Sequence, residues 1–291
     1  MNSKVASLKR RLDAGEFIVA PGVFELISAR IADTMDVPAL YMTGYGTVAS
    51  YLGLPDAGLA SYADMLNRVT AIAGATSKPL IADGDTGYGG LLNVDHAVRG
   101  YEQAGAAAIQ LEDQEFPKKC GHTPGRRVIP LDDMVRKIKV AVAARQSSDF
   151  LIVARTDART NYGLEEALQR GRAFEEAGAD VIFIESPETP DEMQAICRAI
   201  EKPKLVNVVD GGSTPVLPLA DLEAIGYNMA IFPATGFLAM GAALRSAYQH
   251  IADTGSSAGL QTPIDDFMSF SRLMGFEDIW SFEKKWPERS D

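Results

Sequence analysis

Gln103–Thr123 reads Q-A-G-A-A-A-I-Q-L-E-D-Q-E-F-P-K-K-C-G-H-T. Its first half decides the fold. Gly105 stands where a helix ends, because glycine takes the left-handed backbone that caps a helix C-terminus at no steric cost. The apolar run Ala107–Leu111 has the length of a buried strand. The strand delivers two acids, Glu112 and Asp113, into a loop holding Lys118, Lys119, Cys120, Gly121 and His122. Acids at the end of a buried strand suit a hard-metal site. A thiol beside lysines and an imidazole can be partly thiolate or can return a proton. Taken alone, the stretch reads equally well as a solvated charged loop in which a cysteine happens to sit.

The same unit recurs along the chain. Glu176–Asp180, E-A-G-A-D, repeats the glycine cap ahead of the apolar run Val181–Ile184. Further runs are Phe17–Ala20, Ala39–Thr43, Pro79–Ala82, Phe150–Ala154, Lys204–Val208 and Met229–Phe232. Segments with helical spacing follow them. In order these are Glu25–Asp33, Tyr62–Ala75 (reached through a glycine-rich loop), Val94–Ala104, Leu131–Arg145, Leu164–Ala177, Pro190–Ala199, Pro218–Ala224 and Thr235–Thr254. Strands alternating with helices argue for parallel βαβ units, and eight of them argue for a closed α/β fold, a (β/α)8 TIM-type barrel. An open doubly wound sheet is the alternative, but no G-x-G-x-x-G follows a strand. The expectation is one domain over 1–291, with the barrel at about 17–254. An amphipathic helix precedes it, and a C-terminal helical segment at about 260–287 follows. Asp265–Lys285, rich in Phe, Met and Trp, either covers the barrel or packs on another subunit.

Composition narrows the function classes. The 291 residues are 46% hydrophobic and 23% charged, the balance of a protein with a full core. With 28 Lys and Arg against 39 Asp and Glu, the net charge is −11. Nucleic acid and anionic membrane both need basic patches, so neither is expected as a partner. No run approaches the ~18–20 apolar residues of a membrane span. The amino terminus lacks the apolar core of a secretory signal, so the cytoplasm is the expected compartment, with Cys120 and Cys197 reduced.

In such barrels the catalytic groups sit where strands end. The third strand ends in Asp83-Gly84-Asp85, the fourth in Glu112-Asp113, the fifth in Arg155-Thr156-Asp157, the sixth in Glu185 and the seventh in Asn207. Asp83 and Asp85, two apart on an extended backbone, point the same way. With Glu112 they place three carboxylates together, whose repulsion a divalent cation removes. An all-oxygen set without clustered His or Cys selects Mg²⁺, with Mn²⁺ as the other choice. Helix caps or lysine pairs are the plainer reading of these acids. Arg155, on a buried strand, needs an anion: a substrate carboxylate held through both arms of its fork, or a structural pair with Glu185. The N–H groups of Thr43-Gly44-Tyr45-Gly46 are suited to cradling a carboxylate or phosphate, and turn chemistry explains the same glycines.

These motifs together resemble the isocitrate lyase and phosphoenolpyruvate mutase superfamily. The resemblance runs from about Phe17 to Ala247, through Tyr41–Gly44, Gly53–Asp56, Asp83–Gly87, Glu112–Gln114, Lys118–His122 and Ala154–Asp157. The K-K-C-G-H loop is similar to that of its carbon–carbon lyase branch. The resemblance implies Mg²⁺ at Asp83 and Asp85, with Glu112 acting largely through water and Asp56 in support. It implies Thr43, Gly44, Tyr45, Lys118, Gly121 and Asn207 on the substrate side, and Arg155 as the anion-binding arginine. Cys120 is the implied general acid, with His122 and Glu185 lining the pocket. Tyr41 is taken as the base.

The implied reaction cleaves a substituted 2-hydroxy dicarboxylate, 2,3-dimethylmalate- or methylisocitrate-like, to an α-keto acid such as pyruvate plus a small carboxylate. Oxaloacetate hydrolysis or decarboxylation at the same site is the alternative. Carbon–phosphorus chemistry fits less well, because members doing it lack this cysteine. Members that cleave methylisocitrate carry N-x-T-E-F after the seventh strand, where this chain has Asn207-Val208-Val209-Asp210-Gly211. They also carry an arginine near the position of Leu238, so a dicarboxylate fits better than a tricarboxylate. The resemblance implies a homotetramer with C-terminal helices exchanged between subunits.

Overall fold

Short β-rich runs buried on both faces form a parallel sheet only when helices cover it, and eight such runs close on themselves. The structure, a computed structural model, describes residues 3–121 and 125–288. Its strands are β1 (Ile18–Val23), β2 (Leu40–Met42), β3 (Leu80–Asp83), β4 (Ala108–Glu112), β5 (Leu151–Thr156), β6 (Val181–Ile184), β7 (Lys204–Asn207) and β8 (Met229–Phe232). All pair in parallel in sequence order, and β1 pairs with β8 to close a (β/α)8 barrel. Among the described residues the helices are α1 (Ser3–Asp13), α2 (Leu26–Asp33), α3 (Gly44–Leu52), α4 (Tyr62–Ala75), α5 (Leu91–Gln103), α6 (Leu131–Ala144), α7 (Arg159–Glu176), α8 (Pro190–Ala199), α9 (Leu219–Ile225), α10 (Thr235–Thr254), α11 (Phe267–Leu273) and α12 (Phe276–Lys285).

Two expectations change in ways that matter for the site. The glycine-rich run after β2 is a helix, α3, with Thr43 as its N-cap and Gly53, at φ 66°, ending it. The backbone from Asp83 to Asp85 is a turn instead of an extended strand, with Asp85 at φ 48°. β5 also extends to Thr156, so Arg155 lies within the strand. Gly105 and Gly178 both take positive φ directly after their helices, as the caps require.

The core has two main layers. Between sheet and helices lie Leu40, Met65, Ile72, Tyr101, Ile138, Phe150, Phe174 and their neighbours. Inside the barrel lie Ile18, Tyr41, Ile81, Leu151, Val181, Phe183, Leu205 and Met229, joined by Leu8 of α1. Burying each large apolar side chain contributes about 1.5–3 kcal/mol. Ile18, Leu151, Val181 and Met229 are at or near the first residues of their strands, so Leu8 seals the N-terminal end of the barrel. Lys4 fixes the same helix by donating to the carbonyl oxygens of Ala73 and Thr76.

The chain divides into two units, residues 1–237 and 238–291, and the division falls inside α10. The second unit comprises the rest of α10 with α11 and α12. None of these three helices has a buried residue, and Tyr248, Phe267, Phe282 and Trp286 are strongly exposed. Among the described residues, no helix is long and apolar enough to cross a membrane. Both cysteines are free thiols.

Candidate active site

The acids meet because β3 and β4 are adjacent and both end at the same level. Gly84 N donates to Gln110 O at 2.8 Å, and Glu112 N donates to Asp85 O at 2.9 Å. Asp85 N turns back onto Asp83 Oδ1 at 3.0 Å. A Cβ at Gly84 would stand 2.7 Å from the Ile109 side chain, so only glycine passes this point. Asp takes the left-handed conformation more readily than most residues, which allows Asp85 to follow.

Asp83, Asp85 and Glu112 are all buried. Burial pushes each carboxyl above its usual range. The Asp85 charge adds to the effect at Asp83, while Arg155 works against it at Glu112. Lys118 answers this concentration of charge. Its Nζ lies 2.5 Å from Asp56 Oδ1 and 2.5 Å from Asp85 Oδ1. Burial opposes its charge, but Asp85, Asp83, Asp56 and Glu112 outweigh that and hold the ammonium well above its ordinary pKa. Lys118, expected on the substrate side, therefore sits among the acids.

The donor set fits a hard divalent cation of the kind the family resemblance implies. All four acids offer oxygen, and Glu112 Oε1 is buried without a hydrogen-bond partner among the described residues. A Cβ at Gly44 would come 2.4 Å from Asp83 Oδ2, so the helix start leaves that oxygen only the room a glycine provides. Among the described residues, no three His, Cys, Asp or Glu side chains close into a ready-made metal cage. Mg²⁺ keeps several of its waters and takes one or two carboxylates, so a looser set serves it.

Arg155 makes the expected pair with Glu185, but its shortest bonds go to an acid that neither expectation named. Its Nε donates to Asp157 Oδ2 at 2.9 Å and its Nη2 to Asp157 Oδ1 at 2.8 Å. Glu112 Oε2 lies 3.3 Å from its Nη1, and Glu185 Oε2 lies 3.3 Å from the same Nη2. The guanidinium carbon lies 5.2 Å from the centre of the Phe183 ring. Glu185 receives Asn207 Nδ2 at 3.0 Å on Oε2 and the Ser186 N–H at 2.8 Å on Oε1. Asp157 was quoted with the strand end but assigned no role by sequence. The signal was there: an acid two residues after a buried strand arginine, just past the strand's end, keeps to the arginine's side.

Tyr41 does not suit the part of base. Its hydroxyl donates to Gln110 Oε1 at 2.9 Å, and burial, reinforced by Asp83, pushes its pKa well above the ordinary phenol value. It orders Gln110, whose amide reaches toward Asp83 Oδ1 at 3.5 Å.

The loop after β4 lies down over these groups. Cys120 N donates to Asp56 O at 3.2 Å, and Cys120 is half-buried. A Cβ at Gly121 would stand 2.3 Å from Arg155 Nη2 and 3.0 Å from Glu185 Oε2, so the chain passes directly over that pair. The loop's two limbs are zipped by Glu115 N to Arg127 O at 2.8 Å and a Gln114–Val128 bridge. The Gln114 side chain grips the Lys119 backbone through two further bonds, at 2.8 and 2.9 Å. His122 lies outside the described residues. Thr43 is buried and makes no side-chain cap, so the first turn of α3 keeps N–H groups to offer an anion. Tyr45 is exposed, with its ring 5.2 Å from that of Phe237, apart from the buried cluster.

A parallel barrel with charged groups gathered at the C-terminal ends of its strands defines an enzyme acting on a small anionic molecule. Comparison with known proteins makes this specific. Residues 8–252 match the phosphoenolpyruvate phosphomutase family. 2,3-Dimethylmalate lyase of Eubacterium barkeri is 46% identical over 278 residues, covering 96% of both chains. The structure of oxaloacetate acetylhydrolase bound to the inhibitor 3,3-difluorooxalacetate superposes with a TM-score of 0.92 at 35% identity, covering 99% of each chain. Phosphonopyruvate hydrolase in complex with oxalate and Mg²⁺ superposes with a TM-score of 0.88 at 32% identity, covering 97% of this chain and 99% of that one. The chain belongs to the phosphoenolpyruvate mutase/isocitrate lyase superfamily, and it is a lyase of that superfamily.

Proposed function

We propose that this lyase is Mg²⁺-dependent and cleaves the bond between the second and third carbons of a substituted malate of the 2,3-dimethylmalate type, releasing an α-keto acid and a small carboxylate. The observation that carries the reading is the Cys120–Gly121 loop seated on Asp56 and passing over Arg155 and Glu185. A thiol carried on that loop would supply the proton that a carbanion needs. The 46% identity to a 2,3-dimethylmalate lyase supports the substrate class.

Asp83, Asp85 and Glu112, with Asp56 in support, would hold the cation. When bound, it supplies charge that lowers the pKa of a coordinated substrate hydroxyl. Arg155 binds a substrate carboxylate, and the first-turn N–H groups of α3 from Gly44 onward bind another, the Thr43 N–H being already donated to Val23 O at 3.0 Å. Glu185, oriented by Asn207 and the Ser186 N–H, takes the hydroxyl proton, the part withdrawn from Tyr41. The carbon–carbon bond breaks as that oxygen becomes a carbonyl, and its electron pair moves onto the departing fragment, where Arg155 and the helix N–H groups stabilise the negative charge. Cys120 then gives its proton to the new carbanion. We place the enzyme in the cytoplasm, consistent with its two free thiols, and in a homotetramer built through the exposed helices after β8.

The structural match to oxaloacetate acetylhydrolase favours a second reading, hydrolysis of oxaloacetate at the same site. The test is a screen of 2,3-dimethylmalate, methylisocitrate, oxaloacetate and phosphonopyruvate with Mg²⁺, following α-keto acid, oxalate and phosphate. α-Keto acid from dimethylmalate above all others is expected. Oxalate from oxaloacetate as the main product replaces our reading with the second. Cys120→Ser is expected to lose about 10²-fold or more in kcat, and full turnover in that variant refutes the general-acid role.

A further inference from the structure

Asp157 is shared. Its Oδ1 takes Arg155 Nη2 at 2.8 Å and also Arg126 Nη1 at 2.5 Å, while Oδ2 takes Arg155 Nε at 2.9 Å. All three side chains are buried. Arg126 comes from the returning limb of the loop that carries Cys120. Its Nη2 donates to Thr160 Oγ1 at 2.7 Å, and its carbonyl oxygen accepts from Asn161 Nδ2. Behind them, Asp113 fixes the backbone by accepting Asp157 N at 2.9 Å and Thr156 Oγ1 at 2.7 Å. Arg170 joins Asp113 to the end of the loop, donating to Asp113 Oδ2 at 3.0 Å and to Ile129 O at 2.9 Å.

This arrangement solves two problems for an arginine that must bind a ligand. Arg155 has three acids within reach, and Glu112 and Glu185 lie on the ligand side at 3.3 Å. A guanidinium free to turn would settle on those two and present less of itself to a substrate. Asp157 occupies the Nε–Nη2 edge, so the remaining N–H groups point into the site. A carboxylate that held Arg155 alone would also cancel its charge. Arg126 on the same oxygen offsets the Asp157 charge, so Asp157 orients Arg155 without adding its full negative charge to those of Glu112 and Glu185.

We propose that Asp157 and Arg126 are positioning residues for Arg155, and that Arg126 ties seating of the Cys120 loop to the strength with which Arg155 holds a carboxylate. The two residues touch neither substrate nor reacting atoms. The proposal rests on the reading of Arg155 as the anion-binding arginine.

The experiment uses the full-length protein and oxalate as a dicarboxylate probe. Calorimetry gives the Kd for Mg²⁺ alone and for oxalate in saturating Mg²⁺, in wild type, Arg126→Met, Arg126→Lys, Asp157→Asn and Arg155→Met. Steady-state assays add the split between KM and kcat. Arg126→Met is expected to weaken oxalate about tenfold or more, the effect of losing one charge-assisted bond, with Mg²⁺ affinity unchanged. KM should rise more than kcat falls. Arg126→Lys should recover part of the loss, since an ammonium reaches Oδ1 but not Thr160 as well. Asp157→Asn is expected to lose more than either. Should it fail to fold, the Arg126 pair alone decides. Wild-type oxalate affinity in Arg126→Met overturns the proposal, as does a parallel loss of Mg²⁺ and oxalate binding. Unchanged oxalate affinity in Arg155→Met refutes instead the reading on which the proposal stands.

Discussion

Gly44 shows how little room the site leaves at single positions. Its backbone is ordinary helix, so conformational freedom does not explain the glycine. The constraint is Asp83 Oδ2, which a Cβ would approach to 2.4 Å. Gly44→Ala should therefore fold with α3 intact while pushing Asp83 aside, a cost of about 1–3 kcal/mol by analogy with overpacked cores. The expected outcome is Mg²⁺ binding weakened about tenfold or more with the far-UV circular dichroism spectrum unchanged. Unaltered Mg²⁺ affinity would place the cation away from Asp83. Sequence reading singled out the acids, because Asp83, Asp85 and Glu112 follow apolar runs and carry charge that a buried place must answer. It did not find that Lys118 stands between Asp56 and Asp85, since a lysine's reach across loops leaves no local pattern. It missed Asp157 for a similar reason: charge balance between buried side chains is settled by which strands are neighbours.

At the scale of elements, the alternation of apolar runs and helical spacing was sufficient to place all eight strands within a few residues. The miss was α3. Gly44 and Gly46 lower helix propensity, and the run Thr43-Gly44-Tyr45-Gly46 carries turn chemistry. The helix forms because its first turn is packed: Gly46 lies against Phe24, Phe237 and Thr43, leaving a Cβ no more than 2.7–3.0 Å from any of them. Tertiary fit overrode the local preference. α1 carries the complementary lesson, since Leu8, fully buried, works only for stability. Leu8→Ala is expected to cost about 2–5 kcal/mol of folding stability, seen as a lowered Tm, with kcat and KM unchanged. A change in kcat would show that the two ends of the barrel are coupled.

For the whole molecule, closure of the barrel followed from counting units, and the paired ends β1 and β8 bear the count out. What the count could not give was the use of the C-terminal segment. Asp265–Lys285 was read as helix and forms two, α11 and α12, parted at Gly275, whose φ of 99° is closed to most other residues. Phe267 is 82% exposed and Phe282 64%, more apolar area than an isolated chain leaves in water without a reason. We expect light scattering to give a tetramer for the full chain. Truncation after residue 259 should dissociate it or leave it aggregating, and a full-length chain that runs as a monomer refutes the assembly.

The helix plugging the base of the barrel also governs traffic. With Leu8 wedged beneath the strands, the vessel is a cul-de-sac: whatever enters from above must leave from above. In the cleavage proposed above, one substrate would go in and two fragments would come out at that upper end, where Gly121 passes over Arg155 and Glu185. The fragment nearer the floor would then wait for the one above it. On that reading the order in which the fragments depart would follow from which end of the substrate faces down, and a lingering upper fragment would block the exit of its partner.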